Sequence, residues 1–376
     1  MKKLIVAFVI SMSFVFGDPN IVFVKIMIVE DANCALIEVK GGYKVYNQQN
    51  NKILSSGFKE KKHYLEVDKK GLRWGELYSG IHQIKISPNN ENTTILVNGI
   101  ECKGSIEIYE INSKIQLINE LDAEDFLKSM ISVNLDSLDH NNATLESIAI
   151  AARTNLYYTI TNSTNNYWHI NASKSNCIVD KISSIDYKIN KAVNATKNSV
   201  MTYNGKTFPT TWTINCAGHT ANYQSIFRKK NEGPNGVLVS YAKKERNQNQ
   251  WECELSNEEI AKKLHTSIIR SIELYCDQNT KKTYGLRLND GEKIIDITFL
   301  KFQELIGKQQ ILSNDMSVHL AKDSVLFTGY GEGHGVGLCL FSADQMAKYG
   351  LSANQILQNF YQETELVKLN TIKNKE

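Results

Sequence analysis

The chain of 376 residues carries 43 lysines and arginines against 40 aspartates and glutamates, which gives a formal net charge of +3 at pH 7. This balance excludes a strongly basic nucleic-acid-binding protein, whereas a neutral polymer such as a glycan stays open as a partner. The hydrophobic fraction of 42% and the presence of only four prolines are typical of a globular protein and exclude a proline-rich linker. At about 150 residues per domain, the length predicts two to three domains.

The amino terminus has the pattern of a secretory signal peptide. Lys2 and Lys3 form a basic start, residues 4–16 are apolar apart from two serines, and Gly17 lies where a signal peptidase would cut. The apolar run is too short to cross a hydrocarbon layer of about 30 Å, so a signal peptide over residues 1–17 is favoured over a membrane anchor. We therefore expect an exported protein, periplasmic or in the cell envelope, with no transmembrane span after signal cleavage.

The following region, residues 18–115, is predicted to be rich in β-structure. A run of β-branched residues occupies 21–29, and turns with asparagine and glycine separate shorter runs at 43–46, 84–86 and 94–97. This spacing predicts a sheet built of hairpins.

Helical patterns begin after this region. Asp122 is a predicted N-cap, and the alanine-rich stretch 144–154 is the best helical pattern. Further helices are predicted at 258–275, 343–348 and 353–360, and strand signals run from 199 to 215. The fold class predicted from these patterns is α+β.

The seven cysteines are widely and irregularly spaced, with no Cys-x-x-Cys motif. Export permits disulfides, and the odd number leaves at least one thiol unpaired. Two interpretations stay open. Several cysteines are buried as small apolar residues, or one or two disulfides form, with Cys253 and Cys276 as the pair closest in sequence.

Three clusters contain the residues that could take part in catalysis or binding. The first is the glycine-rich loop of residues 329–337, in which alternate glycines permit positive φ angles and a close approach to another surface. It contains His334, which is either functional or structural. The second is the turn of residues 215–220, either a functional turn or a hairpin turn with a capping threonine. The third is Arg153 near the end of the alanine-rich stretch, where it could bind sugar hydroxyls or a carboxylate, or be solvated.

In this order and spacing, the clusters resemble the SpoIID (stage II sporulation protein D, SpoIID/LytB) family. The resemblance runs from about residue 95 to 366 and is carried by 148–154, 216–220, 333–338 and 356–361. It implies a SpoIID-like mixed core of sheet and helix over 116–366 with a glycan groove, followed by a tail at 367–376.

The resemblance implies a peptidoglycan lytic transglycosylase in cell-wall remodelling at division or septation. Its substrate would be glycan strands that a cell-wall amidase has stripped of peptides, cleaved between N-acetylmuramic acid and N-acetylglucosamine to leave a 1,6-anhydro end. One carboxyl group suffices for this reaction, because the sugar's own 6-hydroxyl is the nucleophile. Such an acid needs a raised pKa and hence an apolar pocket.

The chain departs from the family pattern at the acid itself. Where the family has glutamate, this sequence has Asn134, or Leu135 when the alignment is counted back from Arg153. Neither side chain can give and take a proton. Cys216 and Cys339 also stand where the family has serine.

Two main hypotheses follow. In the first, the protein is a lytic transglycosylase whose acid has moved to Asp136 or Glu332. In the second, it holds denuded glycan without cutting it, as a septal peptidoglycan-binding factor or a modulator of an amidase. The residues predicted to position sugar are Arg153, His219, Thr220, His334 and Gly335. A third hypothesis, a purely structural envelope protein, predicts no glycan binding.

A zinc site is a further alternative to the expectation of no cofactor. His169, Cys177, Cys216 and His219 include usable zinc ligands, and the resemblance implies zinc in some family members. Their spacing is not diagnostic of a metal site.

Overall fold

The computed structural model describes residues 22–135, 140–172, 186–230 and 233–369. The predicted signal peptide, Asp136 and Cys177 lie outside these residues. Helices and several sheets are both present, so the predicted α+β class is confirmed.

The amino-terminal part is a pair of antiparallel sheets. Its strands are β1 (Phe23–Ala32), β2 (Cys34–Lys40), β3 (Tyr43–Asn47), β4 (Ile53–Gly57), β5 (Lys61–Asp68), β6 (Gly71–Trp74), β7 (Glu76–Ser79), β8 (Gln83–Pro88), β9 (Thr94–Val97), β10 (Ile100–Cys102), β11 (Ser105–Ile111) and β12 (Lys114–Asp122). One sheet has the order β1-β12-β11-β8-β3-β4 and the other β10-β9-β2-β5-β6-β7. The short parallel strand β13 (Ile170–Asn171) extends the first sheet beside β1.

Both sheets contribute to one buried apolar cluster, so they pack face to face. Ile37 and Leu65 come from one sheet, Val45 and Ile106 come from the other, and all four are fully buried. The alternation of apolar and polar residues along each strand produces this arrangement, because successive side chains point to opposite faces. The predicted boundary between residues 115 and 116 falls inside β12, which pairs with both β1 and β11.

The helical core follows β12. The helices are α1 (Ala123–Asn134), α2 (Asn142–Thr161), α3 (Tyr187–Ala195), α4 (Tyr223–Phe227), α5 (Ser240–Lys244), α6 (Asn257–Leu264), α7 (Phe299–Ile306), α8 (Leu340–Lys348) and α9 (Ala353–Phe360). The Asp122 carboxylate accepts hydrogen bonds from the amides of Glu124 and Asp125, so the predicted N-cap is confirmed. The buried alanines of α2 allow α1, α3, α8 and α9 to pack closely around it.

Two short strand pairs connect distant parts of this core. β14 (Ser199–Tyr203) pairs with β23 (Thr364–Lys368), and β15 (Trp212–Thr213) pairs in parallel with β22 (Leu338–Cys339). The second pair places the chain before residue 216 beside the start of α8. The predicted limit of the core at residue 366 lies within β23.

Residues 250–330 build a separate unit with its own apolar cluster. Its strands are β16 (Gln250–Ser256), β17 (Ser271–Cys276), β18 (Thr283–Asn289), β19 (Ile294–Thr298), β20 (Met316–Leu320) and β21 (Ser324–Tyr330), and α6 and α7 complete it. Trp251, Phe299, Phe302 and Phe327 form the centre of this cluster. We call residues 250–330 the inserted unit, because the chain leaves the core at β16 and returns to it after β21.

The helix predicted over 258–275 is wrong in its second half. α6 ends at Leu264 because His265 adopts a left-handed conformation with φ of 55°. Residues 271–276 form β17 instead, which pairs with β18. The predicted strand over 199–215 is likewise two short strands separated by irregular chain.

Cys253 and Cys276, the pair closest in sequence, carry free thiols in the structure, as do Cys216 and Cys339. Within the described residues, no helix is long and apolar enough to cross a membrane.

Candidate functional site

The glycine-rich loop packs its alternate glycines against neighbouring chain. Gly331, Gly333, Gly335 and Gly337 all have φ angles between 65° and 97°. Glu332 forms an antiparallel bridge with Asn215 beside these glycines. The predicted positive φ angles and close approach are confirmed.

Gly337 shows why a side chain cannot be accommodated here. A Cβ atom at this position would collide with the carbonyl oxygen of Thr211 and lie 2.7 Å from the hydroxyl of Tyr361. The same hydroxyl donates to the Thr211 carbonyl at 2.7 Å and accepts from the Leu338 amide at 3.2 Å. Three segments therefore meet at one atom, and the loop is fixed rather than loosely exposed.

The CAGHT turn (residues 216–220) lies directly against this loop. The amide of Ala221 donates to the carbonyl of Gly335 at 2.8 Å. The Thr220 hydroxyl is buried and accepts from the amide of Val237 at 2.9 Å. The structure thus brings the second and first sequence clusters together.

His334 is held by contacts on both ring nitrogens. Its Nδ1 accepts from the Val336 amide at 3.1 Å, so Nε2 carries the proton and donates to the Thr211 hydroxyl at 3.2 Å. The edge of the ring meets Phe227, with centroids 5.1 Å apart. Burial, with a smaller contribution from the charge of Lys282, lowers the pKa of His334 to about 4. The imidazole is therefore neutral near pH 7.

A buried group of charges lies beneath the two loops. The guanidinium of Arg246 donates to both carboxylate oxygens of Asp315, at 2.7 and 2.8 Å. The ammonium group of Lys282, only 1% exposed, reaches the same carboxylate at 3.2 Å and the carbonyl of Cys216 at 3.0 Å. Burial alone would raise the pKa of Asp315, but these cations outweigh it and lower the pKa. Asp315 is therefore ionised near pH 7, which does not suit a proton donor.

A pocket of about 340 Å³, including its open mouth, borders the CAGHT turn and the glycine-rich loop. The residues that line it are Phe208, Pro209, Thr211, Thr220, Ala221, Tyr223, Gly233, Pro234, Asn235, Gly236, Val336, Gly337, Phe360 and Tyr361. They combine four aromatic rings with hydroxyl, amide and backbone groups. None of these described lining residues is charged.

Comparison with known proteins gives a family match to the segment that precedes the two loops. Residues 111–203 match the family model described as the stage II sporulation protein, SpoIID. A distant relative, the stage II sporulation protein D of Bacillus subtilis, is 24% identical over 188 residues. These two matches support membership of the chain in the SpoIID family. Membership in SpoIID supports a role connected with sporulation or the cell wall, and proteins of this family are typically associated with the cell envelope.

The relatives differ in how much of their length they share with this chain. An uncharacterized protein of Brachyspira hyodysenteriae is 25% identical over 96% of this chain and 97% of its own length. An uncharacterized protein of Chlamydia muridarum is 31% identical, over 50% of this chain and 64% of the relative. The match to the Bacillus subtilis protein covers 50% of this chain and 53% of that protein, so the chain spans less than two thirds of these last two.

The position that the resemblance predicts for the acid, Asn134, is at the end of α1. Asn134 is exposed, and its side-chain amide donates to the carbonyl of Met130 at 2.7 Å. Glu332, the candidate substitute within the glycine-rich loop, is also exposed, whereas its backbone carbonyl accepts from the Thr213 hydroxyl at 2.9 Å. The other substitute, Asp136, lies outside the described residues.

Arg153 does not face a groove, which corrects its predicted role in positioning sugar. Its side chain is fully buried, and its guanidinium donates to both carboxylate oxygens of Glu124, at 2.6 and 2.7 Å. It also donates to the Thr196 hydroxyl and to the carbonyls of Val193 and Ser199. Arg153 therefore ties α1, α3 and β14 to α2, and this structural role occupies all its donor groups.

The remaining predicted residues fall in different places. Thr220 lines the pocket, whereas Gly335 and His334 support it from the loop behind. His219 is half-buried, and its Nδ1 lies 2.9 Å from the carbonyl of Thr220. It is not among the residues that line the pocket.

The candidate zinc ligands are not assembled in the described residues. Across residues 22–135, 140–172, 186–230 and 233–369, no group of three or more His, Cys, Asp or Glu side chains could hold a metal ion. His169 instead accepts a hydrogen bond from the Lys25 amide of β1 at 3.1 Å, and Cys216 contacts Cys339. Cys177 is outside this part of the chain.

The sequence patterns did not reveal Arg246, Lys282 or Asp315. These residues come from three segments that are distant along the chain, and each is an ordinary charged residue in its local sequence. Tyr223 was missed for the same reason, although its ring lines the pocket. Only the fold brings these groups to the two loops.

Proposed function

We propose that this protein binds peptide-free glycan strands of peptidoglycan during cell-wall remodelling at division or septation. The observation that carries the proposal is the uncharged, aromatic pocket between the two SpoIID loops. Sugar rings present apolar faces that pack on an accessible aromatic side chain such as Tyr223, and their hydroxyls exchange hydrogen bonds with groups such as the exposed Asn235. Strands without stem peptides carry few charges, which suits a lining without ions.

The geometry favours holding the strand over cutting it. Cleavage needs a carboxyl group with a raised pKa close to the glycosidic oxygen. The family's acid is replaced by Asn134, and the buried Asp315 is held ionised by its two cations. In this form the protein is a septal binding factor or a modulator of the amidase that strips the strands.

A lytic transglycosylase is the second candidate, with Glu332 of the glycine-rich loop as its acid, and strand binding would then have to shield this exposed carboxyl group from water. In this reaction the protonated carboxyl group donates to the leaving glycosidic oxygen. The resulting carboxylate then takes the proton of the sugar's 6-hydroxyl, whose oxygen attacks C1 and closes the 1,6-anhydro ring. The sequence also suggests Asp136 as an alternative proton donor.

Both candidates, the binding factor and the transglycosylase, are tested by incubating purified protein with denuded glycan strands. We expect the strands to retain the protein in a pull-down and Tyr223→Ala to weaken this retention several-fold. Tyr64→Ala is the matched control, because Tyr64 lies 61% exposed on β5, outside the pocket lining. No retention of the unmodified protein would leave the structural envelope protein as the better hypothesis, and equal retention of both variants would mean that the strands bind outside this pocket.

The products in the same incubation separate binding from cleavage. Strand retention without 1,6-anhydromuramic acid ends supports the binding factor. Formation of these ends, lost in Glu332→Gln or Asp136→Asn, supports the transglycosylase and identifies its acid.

We also propose that the protein acts outside the cytoplasmic membrane. The support is the signal-peptide pattern of residues 1–17 together with the envelope association typical of the family. Amino-terminal sequencing of the protein recovered from expressing cells should begin at Asp18. A protein that keeps Met1 and stays in the cytoplasm would contradict the assignment.

A further inference from the structure

The two cysteines that replace family serines meet behind the pocket. The backbone amide of Cys216 donates to the sulfur of Cys339 at 3.3 Å, although the two residues are 123 positions apart. Both side chains are fully buried, and the structure shows the pair in its reduced form, with two free thiols. The parallel pairing of β15 with β22, which aligns Thr213 with Cys339, fixes this approach.

The environment of the pair favours sulfur chemistry at Cys339. Burial alone would raise its pKa, but hydrogen bonds from the thiol and the amide of Cys216 outweigh burial and lower it. Cys339 also occupies the N-cap position of α8, where the helix dipole favours a thiolate. The pKa of the Cys216 thiol is raised by its hydrogen bond to Cys339 and by burial.

We propose that Cys216 and Cys339 form a disulfide bond that ties the CAGHT turn to the start of α8. Both halves of the candidate site are joined by this bond, because the turn carries Thr220 and the glycine-rich loop leads directly into Cys339. The bond rests on the proposed export, since an oxidising compartment preserves disulfides. It closes a loop of about 120 residues, and loops of this length gain the most from a crosslink.

The oxidant is a disulfide, either of an oxidoreductase or of glutathione. The Cys339 thiolate attacks one oxidant sulfur, forms a mixed disulfide and releases the other sulfur as a thiolate. The Cys216 thiol then loses its proton, attacks the Cys339 sulfur and releases the second oxidant thiolate. Two protons leave the cysteines, and two electrons pass to the oxidant. The exchange takes place during folding, before the loops bury both sulfurs.

Refolding in a glutathione buffer tests the bond without relying on export or glycan binding. The full chain is denatured, reduced, refolded with excess glutathione disulfide, alkylated and digested with trypsin without reduction. Trypsin places the two cysteines on the peptides 207–228 and 323–348, each of which holds no other cysteine. We expect these peptides to be recovered as one crosslinked species. Their recovery as separate peptides, alkylated or carrying glutathione, would overturn the proposal.

Cysteine variants and melting temperatures give a second test of the bond. Cys276→Ser should leave the crosslinked species intact, and Cys339→Ser should abolish it. Dithiothreitol should lower the melting temperature of the oxidised protein by several degrees and leave the Cys216→Ser/Cys339→Ser double variant unchanged. An equal response of both proteins to dithiothreitol would count against the bond.

Discussion

At the scale of single residues, the site depends on backbone positions more than on reactive side chains. The glycine-rich loop looks like a catalytic motif because it surrounds a histidine. In the structure both nitrogens of His334 are engaged, and its pKa lies near 4, so the ring acts as a neutral brace for Thr211 and Val336. The loop contributes the shape of its backbone to the site, and the glycines make this shape possible.

The variant Gly337→Ala tests whether the glycines set the shape of the loop, and Gly350→Ala is its control. Both glycines have positive φ, but a Cβ at Gly350 meets no atom within 4 Å, whereas one at Gly337 collides with Thr211. We expect Gly350→Ala to lower the free energy of unfolding by about 1 kcal/mol through backbone strain alone. Gly337→Ala should lower it by about 1–3 kcal/mol more because of overpacking. Urea denaturation measures both, and equal losses would mean that the loop relaxes around the added methyl group.

Arg153 shows where residue-level prediction from sequence fails. An arginine near the end of an alanine-rich stretch gives no sign of whether it faces solvent, ligand or core. Its partner Glu124 lies 29 positions earlier, and only the packing of α1 against α2 brings the two together. Thr220 lines the pocket, and the turn that holds it is a local feature of the sequence.

At the scale of elements, caps and hairpins were predictable and long-range pairings were not. The Asp122 cap of α1 and the strand Thr94–Val97 follow from local sequence. The end of α6 depends on the left-handed conformation of His265, and β17 depends on a partner strand, β18. Neither of these two features has a local signature in the sequence.

The end of α1 is where an acid could be restored. Asn134 is the last residue of this helix, where the negative end of the helix dipole raises the pKa of a nearby carboxyl group. We therefore expect Asn134→Glu to create or raise formation of 1,6-anhydro ends from denuded strands.

Asn134→Gln is the matched control, since it has the same length as glutamate and no proton to give. Product formation by the glutamate variant alone would support a groove that is otherwise intact. If that variant binds strands and yields no product, the other substitutions have dismantled the catalytic site.

At the scale of the whole molecule, the chain distributes its core among separate apolar clusters. The paired amino-terminal sheets surround Trp74, whereas the inserted unit surrounds Trp251. A third cluster holds α2 and the helices packed on it. Composition and length predicted two to three domains, but the place of the inserted unit between the two site loops could not be read from the sequence.

Separate clusters predict unfolding in more than one step. We expect the fluorescence change lost in Trp74→Phe and that lost in Trp251→Phe to have different urea midpoints, because the two rings share no cluster. Far-ultraviolet circular dichroism should show a broad or stepped transition. Superimposable transitions from both rings and from circular dichroism would indicate a single cooperative unit instead.

The attachment of the inserted unit has a consequence for how this protein can diverge. β16 leaves the core and β21 returns to it as paired neighbours, with Trp251 opposite Gly329 and the amide of Gly331 bonded to Asn249. The chain therefore leaves and re-enters the core through two paired strands, but Lys282 and Asp315 of the inserted unit also reach the CAGHT turn and Arg246. Residues of the unit that make no contact with the core can be gained or lost while the two loops keep their spacing, whereas Lys282 and Asp315 have to be kept.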